Sequence, residues 1–319
     1  MIHLLDAGFL TSVQDLGRSG YQQYGVPTGG PMDEFALRAA NALVRNPPDA
    51  AVLEVGLAGI RLGAGTDLIV AVTGAGFEAR IQGRRIPLWM SARLDAGHTL
   101  TLTPVPGGCW AYIAFSGGVD VPPVMGSRAT ALNAGLGGLA GRALRSGDQV
   151  PCGPSTARAQ AGSWLPPEYR PPYRMRPTLE IISGPQYNDF TLEGQAALLF
   201  GEFAVRPDSD RMGYRLEGPA IIHRGKAELL SEGLVRGAIQ VPASGQPLVM
   251  MSERPTTGGY PKIGVIASAD LPLLAQSPPG IGVVRFRLTE VEAARLRWCT
   301  LLERMIPGIV DIDDPLTPI

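Results

Sequence analysis

The residues best suited by type and spacing to do chemistry lie between Asp208 and Lys262. A first cluster runs Asp208-Ser209-Asp210-Arg211-Met212-Gly213-Tyr214-Arg215-Leu216-Glu217-Gly218. A second is Ile239-Gln240-Val241-Pro242, and a third is Thr256-Thr257-Gly258-Gly259-Tyr260-Pro261-Lys262. Arg211 and Arg215 carry planar donor forks that match the oxygens of a carboxylate or a carboxyphosphate-like group. Where a reaction passes negative charge through such oxygens, fixed donors stabilise it. Arg211 and Arg215 are therefore the candidate charge stabilisers, with Tyr214, Gln240, Thr257 and Tyr260 as orienting groups. Lys262 is the one lysine in a pocket-like cluster. The plainer alternative for each residue alone is structural: Ser-Asp as a turn, Arg215 in a surface ion pair, Lys262 at the surface.

These clusters need strands to carry them. Ala220 to His223, Ala227 to Leu230 and Pro247 to Met251 read as strands between them. Polar Gly- and Pro-containing clusters at strand ends suit a pocket mouth. Thr178 to Ile182 and Val283 to Leu288 read as further strands, Thr191 to Phe200 as a short helix, and Asp270 to Gln276 as a helical turn. Thr289-Glu290-Val291-Glu292 has the form of a capping box that starts a terminal helix reaching about Glu303.

The first half reads as strand with one clear helix. Ile2 to Leu5 is a short strand. Gln14-Asp15-Leu16-Gly17-Arg18 sets an acid and a base on either side of a turn, lining a site or forming a local pair that holds the turn. Met32 to Val44 has helical spacing, Asp33 and Glu34 suit its positive end, and Asn46-Pro47-Pro48 stops it. Ala51 to Val55, Leu68 to Thr73, Phe77 to Ile81, His98 to Thr103 and Trp110 to Phe115 are short strand-like runs, which argue for a closed or nearly closed β-barrel. Ser116-Gly117-Gly118 reads as a tight turn, since it is not a Gly-x-Ser-x-Gly elbow. The proline-rich stretch 151–177 reads as a linker, which divides the chain into domains 1–150 and 178–319.

A chain of 319 residues, 45% hydrophobic and 18% charged, has room for two folded domains. A net charge of -1 favours neither nucleic acid nor an anionic membrane. The only lysines are Lys226 and Lys262, so no Gly-Lys-Ser/Thr phosphate loop exists and ATP binding on this chain is not expected. A biotin carrier needs a lysine in a Met-Lys-Met-like hairpin, and neither lysine has that setting. Cys109, Cys152 and Cys299 are scattered, as are His3, His98 and His223, so no metal site is expected. The odd cysteine count and the missing signal-peptide pattern make the expected location cytoplasmic.

Several further motifs stand in a fixed order: Thr11-Ser12-Val13-Gln14-Asp15-Leu16-Gly17-Arg18, Gly25-Val26-Pro27, Pro31-Met32-Asp33, Ser116-Gly117-Gly118-Val119-Asp120, Gly126-Ser127-Arg128 and Gly184-Pro185-Gln186. With the three clusters above, they resemble the carboxyltransferase subunit family. That family includes the C subunit of bacterial 5-oxoprolinase, allophanate hydrolase subunit 2 and the matching part of urea carboxylase. The resemblance covers almost the whole chain. It implies a mainly β protein with minor α, built from two cyclophilin-like β-barrel domains, and it makes Asp15, Arg18 and Asp33 candidate substrate-binding residues. It also implies one component of an assembly, inactive alone, with ATP or carboxybiotin on its partners. Those partners are a companion subunit 1 (the B subunit of 5-oxoprolinase, or KipI-like) and, in the 5-oxoprolinase case, the A subunit. Two other readings are a regulatory protein that associates with a kinase-inhibitor partner and, by fold analogy alone, a prolyl isomerase.

Overall fold

Short β-branched and aromatic runs between Gly and Pro turns give a mainly β protein. The computed structural model describes residues 1–155 and 158–312, which hold 22 strands and four α-helices. Residues 156–157 of the proline-rich stretch and 313–319 lie outside the described residues. The chain forms two compact units, the first from Met1–Arg18, Gly29–Arg170 and the segment from Leu301 onward, the second from Ser19–Thr28 and Pro171–Thr300.

The first unit has two antiparallel sheets. In one, the order is Gln149–Val150, Ile2–Asp6, Ile60–Ala64, Thr99–Pro104, Phe77–Ile81 and Arg84–Ile86. In the other it is Leu10–Gln14, Val52–Gly56, Trp110–Phe115, Leu68–Gly74, Met90–Leu94, Ser163–Trp164 and Val310–Asp311. One core takes side chains from both, including Ile2, Leu62 and Leu100 from the first and Leu53, Val70 and Ile113 from the second. Helix α1 (Glu34–Leu43) covers the seven-stranded sheet, where Thr73 Oγ1 donates to Ala36 O at 2.6 Å and the Phe35 and Trp89 rings lie 6.1 Å apart. Trp110–Phe115 is therefore buried on both faces. The helix starts later than its periodicity predicts because Asp33 caps it, accepting from Ala36 N at 2.9 Å. Its end precedes the prolines, where Arg45 turns to a φ of 59°. Of the stretch 151–177 expected as a linker, Ser163–Trp164 pairs with Met90 and with Val310–Asp311, and the chain leaves the first unit after Arg170.

The second unit is a closed barrel in the order Thr178–Ser183, Lys262–Ile266, Ala238–Gln240, Leu248–Met250, Gly213–Glu217, Phe203–Val205 and Val283–Leu288. Thr178–Ser183 closes it by pairing in parallel with Val283–Leu288. Helix α2 (Leu192–Phe200) is capped by Thr191, whose hydroxyl accepts from Gly194 N at 3.1 Å. Two expected strands are corrected here. Ala220 to His223 contributes only a bridge from His223 to Phe190, and Ala227 to Leu230 is loop, with Ile222 51% and Leu230 92% exposed. A four-residue apolar run has too few periods to separate strand from loop.

Helix α3 (Leu271–Ala275) and the first part of helix α4 (Val291–Met305) are tied to the closing strand by charge. Arg297 donates to Glu180, and its Nη2 donates to Asp270 Oδ1 at 2.7 Å. Asp270 is 1% exposed and also accepts from Glu180 N at 2.7 Å. Burial pushes the Glu180 carboxyl up, but hydrogen bonds from Arg297 and Arg287 outweigh it and hold the group below its ordinary 4.5. A carboxylate depressed in this way stabilises the fold above the ordinary value and loses that contribution as pH falls through the lowered one. Replacing Arg297 with Ala should destabilise the second unit by about 1–3 kcal/mol, since a buried carboxylate loses a half-exposed partner. It should also flatten the loss of stability below pH 4.5; denaturant titrations at pH 7 and pH 4 check both.

Candidate functional site

In the second unit the polar clusters converge at one end of a pair of strands. Gln240 stands opposite Lys262 in the sheet, and a bulge between Ile239 and Gln240 shifts the register there. A bulge of this kind re-aims the side chain that follows it. Lys262 is 6% exposed and its ammonium donates to Glu232 Oε2. That contact is the largest cause of a Glu232 carboxyl lying below its ordinary range. Gln186 completes the group: its Oε1 accepts from Lys262 N at 3.1 Å and its Nε2 donates to Glu232 at 3.2 Å.

Thr257–Gly258 pairs with Glu232–Gly233 beside this group. A Cβ at Gly258 would lie 2.7 Å from Gln240 Nε2 and 2.8 Å from Leu234 Cδ1, so a larger residue there would displace the ends of those two side chains. The Gln240 amide donates to Tyr260 O at 3.4 Å, a long bond that leaves it adaptable. Thr257 is exposed and Tyr260 is 40% exposed, so both meet solvent at the rim. Gln240, Thr257, Tyr260 and Lys262 are thus brought together, with Glu232 and Gln186 added by the fold.

The arginine cluster is arranged differently from its sequence reading. Arg211 is 3% exposed, and its Nε donates to Glu253 Oε1 at 2.8 Å. Arg215 is exposed, donating to Asp208 O at 2.9 Å. Tyr214 has no exposed surface, and its hydroxyl donates to Ala275 O at 2.9 Å. Alternation along Gly213–Glu217 explains this: Tyr214 faces the barrel interior and Arg215 faces water. Tyr214, expected as an orienting group, is thus packed in the barrel interior rather than at the rim.

The first unit holds a second buried polar group. Asp15 accepts from Gly17 N at 2.8 Å, from Ser127 Oγ at 2.6 Å and from Arg128 N, while Arg18, 1% exposed, donates to Ala129 O. Two motifs more than a hundred residues apart in sequence, Gln14 to Arg18 and Gly126 to Arg128, therefore pin each other. Asp33 is fully buried; its N–H donates to Tyr112 Oη at 2.6 Å, and that hydroxyl donates to Glu54 Oε2 at 2.7 Å. Burial first, then Glu54 and Asp33, push the Tyr112 hydroxyl well above its ordinary value, so it stays protonated. Glu54 was missed; its signal is a lone acid inside the apolar run Ala51 to Val55.

Other candidates do not fit. Ser116 is buried in a turn whose Gly117 and Gly118 have φ of 91° and 71°. Burial pushes the Cys152 thiol up to about 11, far from a thiolate nucleophile. Among the described residues no group of three or more His, Cys, Asp or Glu side chains is placed to hold a metal ion, and no helix is long and apolar enough to cross a membrane. A cleft of about 430 Å³ in the first unit is lined by Arg38, Arg45 and Met305 and by none of the sequence-predicted site residues. Arg38 there pairs with Glu34 and Arg45 with Asp311. For the arginine cluster, Arg211→Ala should cost about 3–5 kcal/mol of folding stability by leaving a buried carboxylate opposite a lost charge, and Arg215→Ala less than about 1 kcal/mol. Chemical denaturation of the two variants measures the contrast.

The carboxyltransferase domain family, subdomains A and B, matches residues 24–288. The chain is 41% identical over 302 residues to the C subunit of 5-oxoprolinase from Escherichia coli, covering 92% of this chain and 94% of that protein. It is 31% identical over 299 residues to urea amidolyase of Lachancea kluyveri, covering 86% of this chain and 16% of that protein. The structure of the K. lactis urea amidolyase superposes with a TM-score of 0.90 at 26% identity, over 100% of this chain and 20% of that one. The chain thus corresponds to about a fifth of that amidolyase. A family match across most of the chain, with the same fold and a relative aligned nearly end to end, shows that this protein belongs to the carboxyltransferase domain family, subdomains A and B.

Proposed function

We propose that this chain is the C-type subunit of an ATP-dependent 5-oxoprolinase, which converts 5-oxoproline, ATP and water to glutamate, ADP and phosphate. The observation that carries this reading is the 41% identity to the E. coli 5-oxoprolinase C subunit, aligned over 94% of that protein, against 31% to the Lachancea urea amidolyase. In the reaction the lactam C–N bond breaks, water supplies the new carboxylate oxygen, and the ring nitrogen leaves as the amine. A lactam is a stable amide, and electrostatic groups supply no driving step by themselves. The ATP-consuming step is therefore assigned to companion chains of the A and B types. Its three free cysteines suit a reducing, cytoplasmic setting.

Within this chain, Lys262 and Gln240 are the groups that would hold the lactam carbonyl as negative charge develops on its oxygen. They occupy paired positions across two strands, so the sheet brings their side chains side by side. Glu232 orients Lys262 by accepting from its ammonium, and Thr257 and Tyr260 form the rim.

The isolated chain should turn over neither 5-oxoproline nor urea. Mixed with its companion chains and ATP, it should release glutamate from 5-oxoproline, and a parallel assay with urea separates this from a urea-type carboxylation. ATP-dependent turnover by the chain alone would overturn its place as one part of a larger enzyme. In the active complex, Lys262→Met and Gln240→Leu should each lower kcat by about 10²-fold, the scale for loss of one oxyanion donor.

A further inference from the structure

Arg211 and Arg254 are the buried arginines of the second unit, at 3% and 8% exposure, and they are treated oppositely. Arg211 has a carboxylate at 2.8 Å, that of Glu253. Arg254, the residue after Glu253, has no carboxylate within 4 Å among the described residues. Its Nε donates to Leu234 O at 3.2 Å and its Nη1 to Thr28 Oγ1 at 3.1 Å, both neutral acceptors. Two of its five N–H groups are thus placed, and Nη2 has no protein partner while keeping contact with solvent. A cation withdrawn from water without a counter-charge is unfavourable, and guanidiniums in that position are kept where an anion arrives from outside. Burial, and then the nearby charge of Arg236, pull the Arg254 guanidinium down to about 10.

The position fits the candidate site. Leu234, whose carbonyl orients Arg254, presses its side chain toward Gly258 beside the Gln240 amide, and its N–H donates to Thr256 O at 3.0 Å. The guanidinium, the Gln240 amide and the Lys262 ammonium are therefore held around one short stretch of backbone, 232–234. We propose that Arg254 is the anion-binding residue of this site and takes the carboxylate of a small-molecule substrate. The assignment of that carboxylate to 5-oxoproline rests on the function proposed above. Urea carries no such group, so this contact would select between the two kinds of substrate. The lactam carbonyl would then lie toward Lys262 and Gln240, with the ring carboxylate on Arg254.

The test uses the purified full chain and the reconstituted complex, with calorimetric binding of 5-oxoproline, of its neutral carboxamide, and of bicarbonate. The wild type should bind 5-oxoproline at least about 30-fold more tightly than the carboxamide, the scale of one buried charge-assisted pair. Arg254→Met should bring that ratio near one, and Arg254→Lys should restore part of it. A merely structural arginine would show itself in melting; here Arg254→Met should keep Tm within about 2 °C of the wild type or raise it, because an unpaired buried charge is removed. Binding of bicarbonate that needs Arg254, without binding of 5-oxoproline, would uphold the anion site and reject the 5-oxoprolinase reading. The inference is overturned by equal binding of acid and carboxamide, by a folded Arg254→Met that keeps the preference, or by no anion binding in either chain or complex.

Discussion

The parallel pairing of Thr178–Ser183 with Val283–Leu288 is the constraint on which the second unit depends. A parallel pair cannot be joined by a tight turn, so the intervening chain must travel around the barrel before it closes. All the polar clusters between Asp208 and Lys262 lie on that path. Closure makes each strand answer to two neighbours, and this over-determination lets the bulge at Gln240 persist without loosening the sheet. Glu180, on the closing strand, carries the network of Arg287, Arg297 and Asp270, so the same pairing also seats α3 and the start of α4.

Charge is managed around this frame by separating what is paired internally from what is left open. Arg211 with Glu253 is a closed pair, and a buried pair favours a specific arrangement more than raw stability. Lys262 with Glu232 is a half-open pair, one member nearly buried and the other 47% exposed, so solvent or a solute can compete for the ammonium. Arg254 is open on the anion side altogether. Three cations in one unit thus span the range from structural to available, and their surroundings rather than their residue types decide which is which.

Much of the fold was legible where apolar alternation or helical spacing ran for five residues or more. Leu68 to Thr73, Phe77 to Ile81 and Trp110 to Phe115 match observed strands closely, and Thr191 marks the start of α2. Leu10–Gln14 was hidden because three of its four buried residues, Thr11, Ser12 and Gln14, are polar; Gln14 donates to Thr130 O at 3.0 Å, a partner no local pattern announces. The site was legible in part for a similar reason. Gln240, Thr257, Tyr260 and Lys262 stood out as polar residues at strand ends. Arg254 did not, because nothing in its local sequence sets it apart, and its neighbour Glu253 turns to Arg211, 42 positions away. Long-range choice of partner is set by the barrel and leaves no mark on local spacing.

The shortage of lysine has a consequence for the chain's own chemistry. Lys262 is nearly buried against Glu232, and Lys226 lies exposed in a loop. Guanidinium groups are not nucleophiles at neutral pH, since they stay protonated. An activated carboxyl group diffusing near this surface therefore finds one exposed lysine, Lys226, where a lysine-rich protein of equal size would offer many. Carrying almost all of its positive charge as arginine, the surface resists acylation, and an amine-directed label or tether will mark Lys226 and spare the nearly buried Lys262.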